Sequence, residues 1–280
     1  MKKITVSKAI GEALHEEMLR DDKVFIMGED MAVMGNVFAI TKGFLEEFGP
    51  KRVIDTPISE EGFVGMAVGA AMRGMRPVVE LMYDDFATEC ADPLFNQAAK
   101  IRYMTGGQCH VPMVLRAPMG AGRRNAGQHS QSLENFFCHF PGLKVVAPCT
   151  AQDAKGLLKS AIRDDDPVIF LEHKLLYAHK EQIPEEEYTI PLGQADIKRE
   201  GKDISIITWS REVNFSLEAA KTLAEQGIDA EVLDLRTLVP LDWDAIVQSV
   251  SKTHNAIIVS EEVKRGSFAG ELSAQIAEEL

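Results

Sequence analysis

Short, wholly apolar runs alternate with longer stretches of helical period along most of the chain. Val24-Phe25-Ile26-Met27 stops at Gly28-Glu29-Asp30, and Arg52-Val53-Ile54-Asp55 runs into Thr56-Pro57. Val78–Met82, Met113–Arg116, Lys144–Ala147 and Val168–Leu171 continue the series. Between them the spacing predicts helices over 7–20, 61–73, 87–104 and 152–164, the last behind a Thr150 cap. Strands that are apolar throughout and separated by helices indicate a mostly parallel sheet covered on both faces. Pro93 would cost about 3 kcal/mol in a helix interior but little in a first turn, so its helix is expected to start there.

The pattern lapses across 177–200, where Lys180-Glu181-Gln182-Ile183-Pro184-Glu185-Glu186-Glu187 is charged and broken by proline. A smaller α/β series follows, with strands at 204–209, 230–234 and 256–260 and helices at 211–227, 242–253 and from 268. The division expected is a domain over 1–180, a linker over 181–200 and a second domain over 201–280. Three strands are few for an independent sheet, and the sequence stops at Leu280 inside a helical pattern. The second domain is therefore expected to be shortened, or completed by a partner.

Composition mainly excludes. With 280 residues, 45% of them apolar, the chain can bury real cores. Thirty basic against 43 acidic residues leave a net charge of −13, which disfavours binding to a phosphate backbone. No apolar segment approaches the roughly 18 residues of a membrane span, and no signal-peptide core follows Met1-Lys2-Lys3. Cys90, Cys109, Cys138 and Cys149 show no paired spacing and read as buried thiols of a reducing cytoplasm. There is no phosphate-binding G-x-x-x-x-G-K-[ST] and no zinc-type H-E-x-x-H; Gly120-Ala121-Gly122 is followed by Arg123-Arg124-Asn125 rather than a dinucleotide fingerprint.

Three segments carry candidate chemistry. In Asp55–Gly65 a strand ends at Pro57, Ser59 is placed to cap, and Glu60 and Glu61 open a helix. First-turn acids commonly do no more than complement the helix dipole. That helix, however, carries Gly62, Gly65, Ala67, Gly69, Ala70 and Ala71, so it is expected to pack closely on another helix, within the chain or across a subunit interface. Met82-Tyr83-Asp84-Asp85-Phe86 lies beyond the carboxyl end of a strand, where parallel sheets bind ligands, although a Phe there often only closes a core. Gly127-Gln128-His129-Ser130 offers a histidine in a polar loop, ordinarily solvated but able to titrate near neutrality.

Taken together, the chain resembles the β subunits of thiamine-diphosphate-dependent pyruvate, branched-chain 2-oxo acid and acetoin dehydrogenases. The matching words are Met27-Gly28-Glu29-Asp30, Asp55-Thr56-Pro57-Ile58-Ser59-Glu60, Asn96-Gln97-Ala98-Ala99-Lys100, Gln128-His129-Ser130-Gln131, Pro141–Val146 and Asp153–Leu158, collinear over almost the whole chain. The resemblance implies a pyrimidine-binding, doubly wound parallel sheet and a smaller transketolase C-terminal-like α/β domain. It implies two α and two β chains sharing the cofactor, with magnesium held mainly by a G-D-G motif of the α chain. No G-D-G occurs here, so activity is expected only with an α subunit.

The resemblance also assigns roles. Glu60 is implied to hydrogen-bond the cofactor's pyrimidine nitrogen, which lets the exocyclic amine deprotonate the thiazolium carbon. Phe86 is implied to pack against the aminopyrimidine, with Met82 and Ile58 as apolar neighbours, and His129 to face substrate. Glu61, an uncommon residue at its position in that family, is expected to point away. A potassium site is implied at Met113, Ala161, Asp164 and Asp166. Arg116, Arg124 and Asn125 are further polar candidates near the site. The implied reaction is decarboxylation of a 2-oxo acid or cleavage of acetoin, with acyl transfer to a lipoyl-bearing acyltransferase; Tyr188–Lys202 looks closest to acetoin-type chains. A split transketolase acting on sugars and a pairing module that lost its site are the alternatives.

Overall fold

A computed structural model describes all residues from Met1 to Leu280. In chain order the elements are β1 (Lys2–Thr5), α1 (Val6–Arg20), β2 (Val24–Gly28), α2 (Phe44–Phe48), β3 (Val53–Asp55), α3 (Glu60–Met72) and β4 (Arg76–Glu80). Next come α4 (Ile101–Met104), β5 (Val114–Met119), α5 (Glu134–Cys138), β6 (Lys144–Val146), α6 (Ala151–Arg163), β7 (Val168–His173) and β8 (Lys180–Ile183). The remainder comprises β9 (Asp196–Arg199), β10 (Ile204–Thr208), α7 (Glu212–Glu225), β11 (Ala230–Asp234), β12 (Thr237–Val239), α8 (Trp243–Thr253), β13 (Ala256–Val259) and α9 (Phe268–Glu279).

The larger sheet has seven strands in the order β3-β2-β4-β5-β7-β6-β12, parallel except for β12. Side chains alternate between its faces. Val24, Ile26, Val78, Val114, Val168 and Phe170 join a core under α1 and α6. Phe25, Met27, Val79, Leu115, Ile169 and Leu171 join the opposite core with α3. Each such side chain removed from water contributes roughly 1.5–3 kcal/mol, so the continuous apolar strands are explained by burial on both sides. Thr150 caps α6 as expected, its side chain accepting from the Asp153 N–H.

Three expectations are corrected. The helix over 87–104 is instead a 3₁₀ turn at Asp84–Thr88, a π-helical segment at Asp92–Ala98 and the short α4. Pro93 sits in the first turn of the π segment, where its missing N–H costs no internal bond. The connection over 181–200 is not bare, because β8 pairs antiparallel with β1 and β9 pairs antiparallel with β11. The second sheet therefore has four strands, β13-β10-β11-β9, rather than three. A polar edge strand such as Asp196–Arg199 carries too few apolar residues to announce itself. The second unit also lends β12 to the larger sheet, and Trp209, Leu235, Leu238 and Leu272 share the core on the α3 side.

Candidate active site

The order of strands across the sheet reverses beside β2: its connection leads to β3 on one side, while β4 and β5 follow on the other. The crevice beyond the carboxyl ends at such a reversal is where open parallel sheets bind ligands. The loops after β2, β3, β4 and β5 bring Glu29, Ile58, Glu60, Met82, Phe86 and His129 to this end of the sheet.

Glu29, Ile58, Ser59, Glu60, Glu61, Phe86 and Glu89 line one open cleft of about 530 Å³. Glu60 stands half-buried in the first turn of α3, and Ile58 is 84% exposed before it. Ser59 makes no cap bond; its hydroxyl instead fills the space that a Cβ on Gly62 would need. Glu61 is exposed and borders the same opening. Glu29, to which the sequence reading gave no role, has a buried Oε1 without a partner. Burial, and after it the negative charge of Glu60, pushes the Glu29 carboxyl up. Its signal in the sequence was its place directly after an apolar strand.

Phe86 belongs to both the cleft and an aromatic group. The His129 ring meets Tyr83 and Phe86 edge-on, with centroids 4.5 and 5.4 Å apart. The Asn125 amide reaches the Tyr83 hydroxyl at 3.4 Å. Met82 is half-buried between β4 and Tyr83. Beneath this group, Gln131 donates to Asp85 at 2.8 Å and the Leu133 N–H to Asp84 at 3.1 Å. Asp84 is fully buried, and burial together with the Asp85 charge holds its carboxyl well above the usual range.

Other candidates separate from the cleft. Arg124 is exposed in the loop after β5, with φ of 60°. Arg116 is fully buried among Glu80 and Glu172, so it is a structural cation and not a substrate contact. The residues of the implied potassium site have partners within the chain. Lys144 binds both Asp164 oxygens at 2.6 and 2.7 Å, and Arg102 binds Asp166 at 2.6 Å. The Met113 carbonyl accepts from Val168 N–H and that of Ala161 from Asp164 N–H. The two carboxylates are thus paired with basic side chains.

The small residues of α3 serve two sides. Gly65 allows approach to Pro93 of the π segment, a Cβ there lying 3.8 Å from the proline's. On the other side Gly62 and Gly69 are exposed to solvent, beside Met66 and Met72 at 62% and 43% exposure.

The sequence matches the family "Transketolase, pyrimidine binding domain" over residues 2–180 and "Transketolase, C-terminal domain" over 193–280. It is 53% identical over 274 residues to the pyruvate dehydrogenase E1 component subunit beta of Rickettsia felis, covering 98% of this chain and 83% of that protein. The chain belongs to the E1 β-subunit family. This E1 β chain is also 50% identical over 288 residues to the acetoin:2,6-dichlorophenolindophenol oxidoreductase subunit beta of Cupriavidus necator, covering 99% of the one and 85% of the other. In fold it is similar to a split-gene transketolase described as an inactive beta4 tetramer, with a TM-score of 0.83 at 21% identity over 99% of this chain and 86% of that one. As an E1 β subunit it is a component of thiamine-dependent 2-oxo acid or acetoin dehydrogenase complexes, and an α subunit is its implied partner. No helix is long and apolar enough to cross a membrane.

Proposed function

We propose that this chain supplies the pyrimidine-facing half of a thiamine diphosphate site completed by an α subunit, in an assembly of two α and two β chains. The carrying observation is Glu60, opening α3 across the same cleft from Phe86. The residues present fit an aminopyrimidine. They pair a solvent-reaching carboxylate with an aromatic face, and Glu29 adds a buried, unpartnered oxygen beside them. When bound, the cofactor supplies a nucleophilic carbon that attacks the substrate carbonyl and holds the electrons released by decarboxylation or C–C cleavage.

This chain's residues do the rest. Glu60 hydrogen-bonds the ring nitrogen of the pyrimidine, and Phe86, Ile58 and Met82 give the ring apolar surfaces. His129, held against Tyr83 and Phe86, faces substrate and moves or positions protons there. The substrate is a 2-oxo acid or acetoin, with pyruvate and acetoin ahead of branched-chain acids: relatives named for pyruvate, acetoin and 2-oxoisovalerate match at 53%, 50% and 48% identity. The acyl product passes to a lipoyl carrier of the same complex, and magnesium is held mainly by the α chain. The pyrimidine-binding domain spans 1–180 and the smaller domain 201–280.

Calorimetric titration of thiamine diphosphate with magnesium tests this reading. Binding to the α–β mixture but not to this chain alone, lost in Glu60→Ala, is the expected result. Tight binding by the isolated chain, or an intact Glu60→Ala mixture, would overturn it. Activity of the mixture on ketoses with an aldose acceptor, and none on pyruvate or acetoin, would move the assignment to sugar transfer.

A further inference from the structure

The loop that carries His129 is closed at its neck, where the Gly120 N–H donates to the Gln131 carbonyl at 2.7 Å. Its tip has no regular structure: Arg123, Arg124, Gly127 and Gln128 are exposed, and Arg124 and Ala126 take φ of 60° and 63°. The position of His129 therefore depends on how the neck is held and on the rings it meets.

The neck is held from the second unit. Glu261, just beyond β13, accepts from the Ala121 N–H on one stem at 3.2 Å and from the Ser132 hydroxyl on the other at 3.4 Å. The same carboxylate meets His173 Nε2 at 2.8 Å, with the Arg211 guanidinium 3.8 Å away. His173 is buried at the end of β7 and lies so close to Gly120, whose φ is +93°, that no Cβ would fit there. Lys174 donates to the Gly120 carbonyl. The next residue, Glu262, accepts from the Asn135 N–H at 3.2 Å and from the Phe268 N–H at 3.1 Å, joining the starts of α5 and α9. Burial disfavours charge on Glu261, but the hydrogen bond and charge of His173, the Ala121 N–H and the Arg211 charge together hold the carboxyl below its usual range. A generic contact between two units would not place one carboxylate on both stems of a single loop.

We infer that Glu261 is a positioning residue for His129: through Ala121, Ser132 and His173, the second unit fixes the neck of the loop that presents the imidazole. The inference rests on the substrate-facing role proposed for His129. It gives the second unit a part in the chemistry without any contact with substrate.

The test uses the assembled α–β enzyme with magnesium and thiamine diphosphate, pyruvate or acetoin, and dichlorophenolindophenol as electron acceptor. Displacing a reacting group by about 1 Å costs up to roughly a hundredfold, so Glu261→Ala is expected to lower kcat by about ten- to a hundredfold with KM within about twofold. Glu261→Gln, which keeps one acceptor oxygen, recovers part of the loss. In a His129→Ala background the Glu261→Ala change should cost less than about twofold, because the two act as one unit. Hydrogen–deuterium exchange should accelerate over residues 120–132.

Wild-type kcat in Glu261→Ala, equal losses in both backgrounds, or unchanged exchange in the loop would each overturn the inference. Unchanged kcat in His129→Ala alone would instead remove the role of His129, while exchange would still report whether Glu261 holds the loop. If Glu261→Ala does not assemble, Glu261→Gln carries the same comparisons.

Discussion

Arg116 and Glu172 form a two-pronged ion pair sealed from solvent, with Nε and Nη2 donating to the two carboxylate oxygens at 2.7 and 2.8 Å. The third guanidinium edge binds Glu80, whose oxygens also accept from the Asn36 amide at 2.9 and 2.8 Å. Tyr177 donates to Glu172 at 2.6 Å. One cation thus joins β4, β5 and β7 and, through Asn36, the loop that follows β2. Apart from β7, these elements lead into loops that carry residues of the candidate site.

Removing this cation leaves two buried carboxylates unmatched, which typically costs about 3–5 kcal/mol. Arg116→Met is therefore expected to lower the urea midpoint of the assembled protein by a corresponding amount. Arg116→Lys should lose much of the same stability, since an ammonium cannot reproduce the planar fork. A midpoint unchanged in both variants would show that the cluster relaxes or takes up protons at little cost.

Glu134 makes a separate prediction about pH. Burial first, and the Glu262 charge after it, pushes its carboxyl up to about 7, against the hydrogen bond from the Trp209 indole at 3.1 Å. The folded value lies above the unfolded one, so the native state binds the extra proton. Its contribution is present below the ordinary carboxylate range and is lost as pH rises through about 7. That loss amounts to at most about 3 kcal/mol. Glu134→Gln should flatten the fall in melting temperature between about pH 5 and 7. It should also abolish any shift of Trp209 emission over that interval. Persistence of both in the variant would assign the transition elsewhere, with Asp234, likewise pushed up to about 7 by burial, the next group to substitute.

The parts legible in the sequence were those whose local pattern and tertiary fate agree. Val24–Gly28 and Val168–Leu171 are apolar throughout because both faces are covered, and Thr150 reads as a cap because its hydroxyl accepts from the Asp153 N–H while donating to the Asp153 carboxylate. Asp196–Arg199 was hidden because an edge strand with polar residues has the composition of a linker. The break-up of 87–104 follows from Pro93, whose position was legible although the π-helical winding after it was not. Of the site, Glu60 and His129 came from motif words, and Phe86 from its place just beyond the carboxyl end of a strand. Glu261 was out of reach because its partners, Ala121 and Ser132, lie more than a hundred residues away and on irregular backbone. Glu80, Arg116 and Glu172 did leave a trace: each is a charge set directly beside apolar residues of a buried strand, with opposite signs on neighbouring strands.

Gly142 tests how tightly the π segment is docked. Its φ is +104°, and a Cβ there would collide with the backbone carbonyl of Ala99, just after that segment. Backbone cannot step aside as a flexible side chain does, so Gly142→Ala combines positive-φ strain with a steric clash. A loss above about 1 kcal/mol is expected, more than for a glycine that is merely strained. Gly107, with φ of 82° but open space around it, is the matched control. Equal losses for Gly107→Ala and Gly142→Ala would mean that the contact with Ala99 adds nothing.

Glu60 offers the sharpest separation of function from stability. Its carboxylate lies beside that of Glu29, which it pushes up, and it lines an open cleft without a basic partner. The favourable helix-dipole term for such a first-turn acid is only about 0.3–1 kcal/mol, and repulsion from Glu29 works against it. The residue thus contributes little to the folded chain and is explained by what it does to a ligand. Glu60→Gln is expected to leave the melting temperature of the unliganded protein unchanged or slightly raised. In the assembled enzyme it should lower turnover by about 10²–10⁴-fold, the range associated with losing a positioned proton-transfer group. Glu61→Gln, one residue on at the exposed rim, should change turnover by less than about tenfold on the same scale. A large loss at Glu61 and none at Glu60 would exchange their roles, and would require α3 to begin at a different angle around its axis when the cofactor is bound.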